Sequence, residues 1–282
     1  MSLKESNDYF IKLIQNNKPF LISRLGLGPE SIIPYLFSMK SKIDEHSIHR
    51  LNNNLGIYCN TMEQLEEFAN KYKSCLEHST AIAEWGGNTL YPYEEYYINT
   101  YKLNRVTFKI LEPFYCIEEN LKPWSHYLLG KKVLIINPFT ESMQRQLKND
   151  FQIYKNKPLF LDGQEFVFYK SYVTSGFNWI HSSWIETFEI MCNDISKLDF
   201  DIALLGCGGY GLPLSDFIFT KLNKSAIYVG GGLQLLFGVM GNRWVDIPMW
   251  KRIIAENDTK FIRPNENEQI KNQNNIENAC FW

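Results

Sequence analysis

At 282 residues with a 45% hydrophobic fraction, the chain can bury the core of one large α/β domain or two small ones, which excludes disorder as its default state. Its formal net charge of −2, from 29 basic and 31 acidic residues mixed along the chain, argues against a dedicated nucleic-acid binder; a small anion held by a few local cations is compatible with it. Six cysteines without a CxxC pair favour reduced, mostly buried thiols, and no apolar leader or run of roughly 20 apolar residues occurs, so a cytoplasmic protein with no membrane span is expected.

The first helix is expected from Ser6 to the Asn16-Asn17 pair, with Phe10, Leu13 and Ile14 on one face. Phe20 to Ser23 reads as a short buried strand running into Arg24-Leu-Gly-Leu-Gly-Pro-Glu30. Thr61 and Gln64 form a capping box, after which Leu65, Phe68, Ala69, Tyr72 and Leu76 recur at helical spacing. Thr80 to Glu84 is another short strand. Residues 88 to 128 are aromatic-rich and irregular; mostly helical packing is expected there, and the segment marks a domain boundary.

The second half alternates strand and helix. Lys132 to Asn137 is a buried strand, Glu165 to Tyr172 another, and Ser183 with Glu186 a second capping box over the stripe Trp184, Phe188, Met191 and Ile195. Asp199 to Leu205 is a strand, Gly206-Cys-Gly-Gly-Tyr-Gly211 a loop, and Pro213 the first turn of a helix. Ser225 to Val229 is a further strand ending in Gly230-Gly-Gly232, followed by a helical Leu233 to Val239. Such alternation predicts a Rossmann-like α/β fold, a mostly parallel sheet with right-handed crossovers and flanking helices. The parts are residues 1–128, residues 129–264, and a polar tail 265–282, expected to be exposed, whose apolar end Ala279-Cys-Phe-Trp282 can dock on the body.

Strand-end loops carry the candidate chemistry. Gly206, Gly208, Gly209 and Gly211, with Tyr210 between, can bring backbone and a helix N-terminus close to a phosphate. The spacing G-x-G-G-x-G is one residue short of the dinucleotide fingerprint, and no acidic residue closes the next strand, which disfavours nicotinamide and flavin cofactors. Gly230, Gly231 and Gly232 lie on the same sheet edge, with Gln234 and Arg243 in reach of a sugar or phosphate; Arg243 can equally serve a surface ion pair. Arg24 and Glu30 flank the turn containing Gly26, and can either pair with each other or bind phosphate and act as a base. Asn137 and Glu141 stand at the mouth of a third strand–helix unit, where Glu141 also suits the helix dipole. Cys207 is either a small buried filler or a thiol whose pKa is lowered by the helix behind it. No G-x-S-x-G elbow, no Walker-type loop and no histidine metal spacing occurs.

Taken together, the motifs resemble a known group. Phe20-Leu-Ile-Ser-Arg-Leu-Gly26 followed by Glu30 resembles the first motif of GT-D-type glycosyltransferases, roughly Arg-Ile-Gly-Asp-Gly-Glu. Lys131 to Phe139, Asp201 to Leu214, Gly230 to Gly238 and Arg243-Trp244 are similar to a bacterial and viral group associated with surface-polysaccharide genes, as is the ending Ile276 to Trp282. The resemblance implies a Rossmann-like core that binds a nucleotide sugar and transfers the sugar to a glycan acceptor in polysaccharide biosynthesis. It places Arg24 and Glu30 on the motif's Arg and Glu, as catalytic residues, and implies that the two glycine loops receive the diphosphate. The motif's Asp has no counterpart, since Leu27 or Gly28 stands in its place and Pro29 adds a residue, so the divalent metal of that motif lacks its usual ligand here and the cofactor stays open. Other readings on the same fold are an enzyme acting on a phosphorylated sugar or nucleotide without glycosyl transfer, and a non-catalytic nucleotide-sugar-binding scaffold. A homo-oligomer is compatible with all three.

Overall fold

The computed structural model describes residues 1–87 and 91–282, so the first three residues of the aromatic-rich segment, 88–90, lie outside the described residues. Seven strands form one sheet: β1 (Leu21–Arg24), β2 (Ala81–Glu84), β3 (Asn104–Thr107), β4 (Lys132–Asn137), β5 (Glu165–Lys170), β6 (Ile202–Leu205) and β7 (Ser225–Tyr228). Their order is β3-β2-β1-β7-β6-β4-β5, and every pair is parallel. The fold is α/β and Rossmann-like. Residues 1–128 supply β1–β3, residues 129–264 supply β4–β7, and the two sets join where Leu21 and Ile22 of β1 pair with Ala226 and Ile227 of β7.

The helices, in chain order, are α1 (Leu3–Gln15), α2 (Pro29–Ser38), α3 (Glu45–Leu55), α4 (Met62–Glu77), α5 (Tyr91–Tyr101), α6 (Phe114–Glu118), α7 (Thr140–Lys148), α8 (Trp184–Ile195), α9 (Gly211–Thr220), α10 (Leu233–Leu236), α11 (Asn242–Val245) and α12 (Pro248–Asn257). Right-handed crossovers decide which face each one covers. The steps β1→β2, β2→β3, β5→β6 and β6→β7 all move one way along the sheet, and α2–α5, α8 and α9 pack on one face, around Leu134, Ile136, Ala203 and Leu205. The step β4→β5 moves the other way. Its helix α7 therefore lies on the opposite face with α1, α6 and α12, around Val133, Ile135, Ile202 and Leu204. Two apolar layers thus enclose the sheet, and alternate residues of each central strand serve alternate layers.

Several expectations are corrected in detail. The first helix starts at Leu3, because Ser2 and Glu5 form a capping box upstream of Ser6. The aromatic-rich segment contains the short edge strand β3, whose four residues are too few to show a period. Thr61 and Ser183 each cap a helix, but Gln64 and Glu186 bond back to Asn60 and Ser182 and not to the cap residue. Among the described residues no helix is long and apolar enough to cross a membrane.

Most polar positions of the tail are exposed and its apolar end, with Glu268 and Ile276, packs on the body. Glu268 is buried and accepts from the amides of Glu141 and Ser142, capping α7, and also from Asn265 N–H. The carbonyl of Trp282 accepts from Arg263 and from the amide of Asn242, while Trp282 Nε1 donates to the carbonyl of Glu268. Asn272 Nδ2 likewise donates to a backbone group, the carbonyl of Gly176. Glu277, Asn278 and Ala279 have successive left-handed φ values of 47°, 56° and 56°. Such a run costs about 1–2 kcal/mol per residue, and the buried Ala279, Cys280 and Trp282 hold it in place.

Candidate functional site

A parallel sheet brings the carboxyl ends of β1, β4, β6 and β7 to one edge. Ligands of open α/β sheets bind there, where neighbouring connections leave in opposite directions. A cavity of about 560 Å³ occupies that edge, walled by the loops after these strands, by the β3–α6 turn and by the tail. Arg24, Gly26, Glu30, Asn137, Gly206, Gly208, Gly209, Tyr210, Gly230, Gly231, Gly232, Gln234 and Arg243 all line it. Gly211 and Glu141 do not. Gly211 begins α9 against the ring of Tyr228, and Glu141 faces outward, where it accepts from Lys170 and Asn267 at 2.6 Å each.

Glu30 sits in the first turn of α2, behind Gly28 as N-cap and Pro29 as first residue. Its side chain folds back over the preceding loop. A Cβ on Gly26 would stand 1.4 Å from Oε1, and one on Gly28 2.6 Å from Oε2. These glycines therefore make room for a carboxyl. Only 6% of Glu30 is exposed, and Oε2 has no partner among the described residues. Burial pushes its pKa up to about 7, against the lowering effect of its own amide, Arg24 and Arg50.

Arg24, at the end of β1, is surrounded by rings: its guanidinium lies 5.0 Å from Trp85 and 5.4 Å from both Phe108 and Tyr228. Nε and Nη1 donate long bonds to the carbonyls of Leu25 and Val229, at 3.3 and 3.4 Å. No carboxylate of the described residues is within ion-pair distance of it. Arg24 and Glu30 thus share the cavity without pairing. Gly230, at φ 83°, turns the β7 loop, and a Cβ there would stand 2.2 Å from Arg24 Nη1.

A third charged group was not anticipated. Glu112, between Leu111 and Pro113, is 8% exposed and lines the cavity beside Arg24 and Arg243. A Cβ on Gly232 would stand 1.8 Å from its Oε1, so the carboxyl lies directly over that loop. Burial raises its pKa to about 7, opposed by Arg24 and Arg243. No motif marks Glu112. The available signal was a single carboxylate among the mostly apolar residues Ile110 to Phe114.

The glycine loops are accordingly filled from within. Phe281 covers Gly231, Glu112 covers Gly232, and Ile57 stands 2.4 Å from a Cβ on Gly209. Gly208, at φ 58°, is open, with only the carbonyl oxygen of Leu55 near, at 3.8 Å. Gly206 has no room at all: a Cβ would meet the carbonyl oxygen of Gly230 at 2.5 Å and Leu233 Cβ at 2.9 Å. Gly206→Ala is expected to lower stability by about 1–3 kcal/mol, because backbone must move; a urea titration measures it, and an unchanged midpoint would contradict the packing.

Polar candidates around the cavity are mostly occupied. Asn137 Nδ2 donates to the carbonyl of Gly206 at 2.8 Å, and Oδ1 accepts from Phe139 N–H at 2.9 Å, tying β4 to β6. Gln234 donates to the carbonyls of Val239 and Phe281. Tyr210 shares a hydrogen bond with Thr174, at 2.8 Å, and stacks on Trp184. Arg243 pairs with Glu277, donates to Cys280 Sγ at 3.3 Å, and lies 4.5 Å from the Phe281 ring. It is thus a clamp on the tail. That pair is about half exposed, so Arg243→Ala is expected to cost no more than about 1 kcal/mol, read from thermal melts. Cys207 is buried, and burial pushes its thiol pKa up, which makes it a filler and not a nucleophile.

The donor set does not fit the divalent metal that the first-motif resemblance implies. Among the described residues no group of three or more His, Cys, Asp or Glu side chains converges, and Leu27, Gly28 and Pro29 supply no carboxylate where the motif has Asp. No step is routed through a metal here.

No protein-family model and no curated protein matches the chain. Among solved structures, a selenomethionine-substituted domain of unknown function 1792 is similar over 93% of this chain and 87% of that one, with 13% identity and a TM-score of 0.47. At that distance the likeness carries no argument, and the site is read from its own geometry: an unpaired arginine and two buried carboxyls around one cavity.

Proposed function

We propose that the cavity is the active site of a glycosyltransferase that takes a nucleotide-activated sugar and passes the sugar to a hydroxyl of a glycan acceptor. The observation that carries the reading is the pairing of opposites without an ion pair. Arg24 offers donors in a ring-lined wall, and Glu30, whose Oε2 is buried without a partner among the described residues, lines the same cavity. Arg24 attracts the diphosphate and offsets charge on the leaving group, helped by the open turn at Gly208. Glu30, in its ionised form, takes the proton of the acceptor hydroxyl. The acceptor oxygen then bonds to the anomeric carbon, and the bond from that carbon to the phosphate oxygen breaks with its electron pair leaving on the diphosphate. The flat walls of Trp85, Phe108 and Tyr115 suit a sugar or base face. A role in polysaccharide assembly follows from the likeness of the motifs to the surface-polysaccharide group.

Thermal shift against nucleoside diphosphates and nucleotide sugars tests the proposal. A rise in melting temperature with at least one nucleotide is expected, and it should be lost in Arg24→Ala. No shift with any nucleotide at millimolar concentration would overturn it.

A further inference from the structure

Glu112 has no assigned purpose in the fold. It follows the 3₁₀ turn Phe108–Leu111, and its backbone is pinned on both sides: its amide donates to the carbonyl of Lys109 at 3.2 Å, and its carbonyl accepts from Tyr115 N–H at 3.1 Å. The carboxyl is buried, opens on the cavity, and has no hydrogen bond or ion pair among the described residues. Buried polar groups left in that condition need an explanation. Gly232 supplies half of one. Its φ of −61° and ψ of −16° are helical and open to any residue, so the backbone does not require glycine there. What requires it is the Glu112 carboxyl, 1.8 Å from where a Cβ would stand.

In its ionised form, populated above about pH 7, the Glu112 carboxylate accepts and does not donate, so the ligand of that form must present donors. A diphosphate would be repelled by Glu112 and drawn to Arg24. Glu112 therefore marks the sugar end of a bound nucleotide sugar and not the phosphate end. Sugars present adjacent hydroxyls, and the two oxygens of one carboxylate can accept from two of them. We propose that Glu112 is the specificity-determining residue of the cavity, accepting hydrogen bonds from adjacent hydroxyls of the transferred sugar. The assignment rests on the nucleotide-sugar reading above.

The test compares binding of a nucleotide sugar, its deoxy-sugar analogue and the matching nucleoside diphosphate, by calorimetry on the full chain. Glu112→Gln is expected to weaken the nucleotide sugar about tenfold or more, as for loss of a charge-assisted hydrogen bond, and to leave the nucleoside diphosphate no weaker, or tighter through the lost repulsion. The wild type should discriminate against the deoxy analogue, and the variant should not. Gly232→Ala, which displaces the carboxyl without removing it, should reproduce the loss, and the double variant should be no worse than either single one. Unchanged nucleotide-sugar affinity in both variants overturns the assignment. So does an equal loss for the diphosphate, which would mean a general effect on the site. A wild type that binds no nucleotide sugar overturns the enzyme reading together with this one, and that failure shows in the wild type and not in the variants.

Discussion

Glu30→Gln is expected to lower kcat/KM for the productive nucleotide sugar by about 10²-fold or more, with the loss in kcat, and to flatten the pH dependence of the rate. In the wild type, a base whose pKa is about 7 is mostly protonated below neutrality, so the rate should rise through pH 7 and level off above it. The amide cannot take the proton, and the variant's residual rate should not follow that curve. Gly26→Ala offers a second route to the same result, since a Cβ there would displace Oε1. Steady-state rates between about pH 5.5 and pH 8.5 measure both. A variant that keeps the wild-type rate and profile would place Glu30 among purely structural groups, as a binding scaffold requires.

Removing the buried carboxylates should also change how stability depends on pH. For both Glu30 and Glu112 the folded pKa, about 7, is above the ordinary 4.5, so the folded state holds a proton that the unfolded state has released. The sign follows: their contribution is fully favourable below about pH 4.5 and is lost as pH rises towards 7. A displacement of that size corresponds to about 3 kcal/mol for each group above neutrality. Glu30→Gln and Glu112→Gln should therefore each be more stable than the wild type at pH 8, by several degrees in Tm, with the advantage gone in mild acid. Urea melts at pH 8 and pH 5 decide it; a difference independent of pH would show that neither carboxyl titrates on unfolding. Surface carboxylates held low by their partners, such as Glu5 and Asp44, act in the opposite direction but are common to every variant and cancel in the comparison. A protein that keeps two such groups forgoes stability where a ligand is to be met, which is the pattern of a functional site.

Some of this was legible early because its causes are local. Val133 to Ile136 and Ile202 to Leu205 read as buried strands from continuous apolar runs bounded by polar residues and glycine, and the alternation of strand and helix predicts parallel pairing. Arg24 and Glu30, spaced around a glycine turn in the sequence, both line the cavity. Other features have causes far apart in the chain. Glu112 lines the cavity only because the turn that follows β3 is placed beside Gly232, some 120 positions later. Arg243 suits a phosphate or an ion pair equally by its sequence position, and it is Glu277, on a tail that composition marks as solvent-exposed, that pairs with it.

The glycines show where the division falls. By itself the sequence determined that the chain bends sharply at three strand ends, at Gly26–Gly28, Gly206–Gly211 and Gly230–Gly232, and that the sheet brings those bends to one edge. A glycine pattern states that a side chain is missing; it does not state what takes the space. Only the tertiary structure decided that, by placing Glu30 over Gly26, Arg24 over Gly230, Phe281 over Gly231 and Glu112 over Gly232. The reason is physical: room released by a missing Cβ is filled by whichever group the fold brings within van der Waals distance. Here those groups include two carboxyls and an arginine that find no charge partner among the described residues.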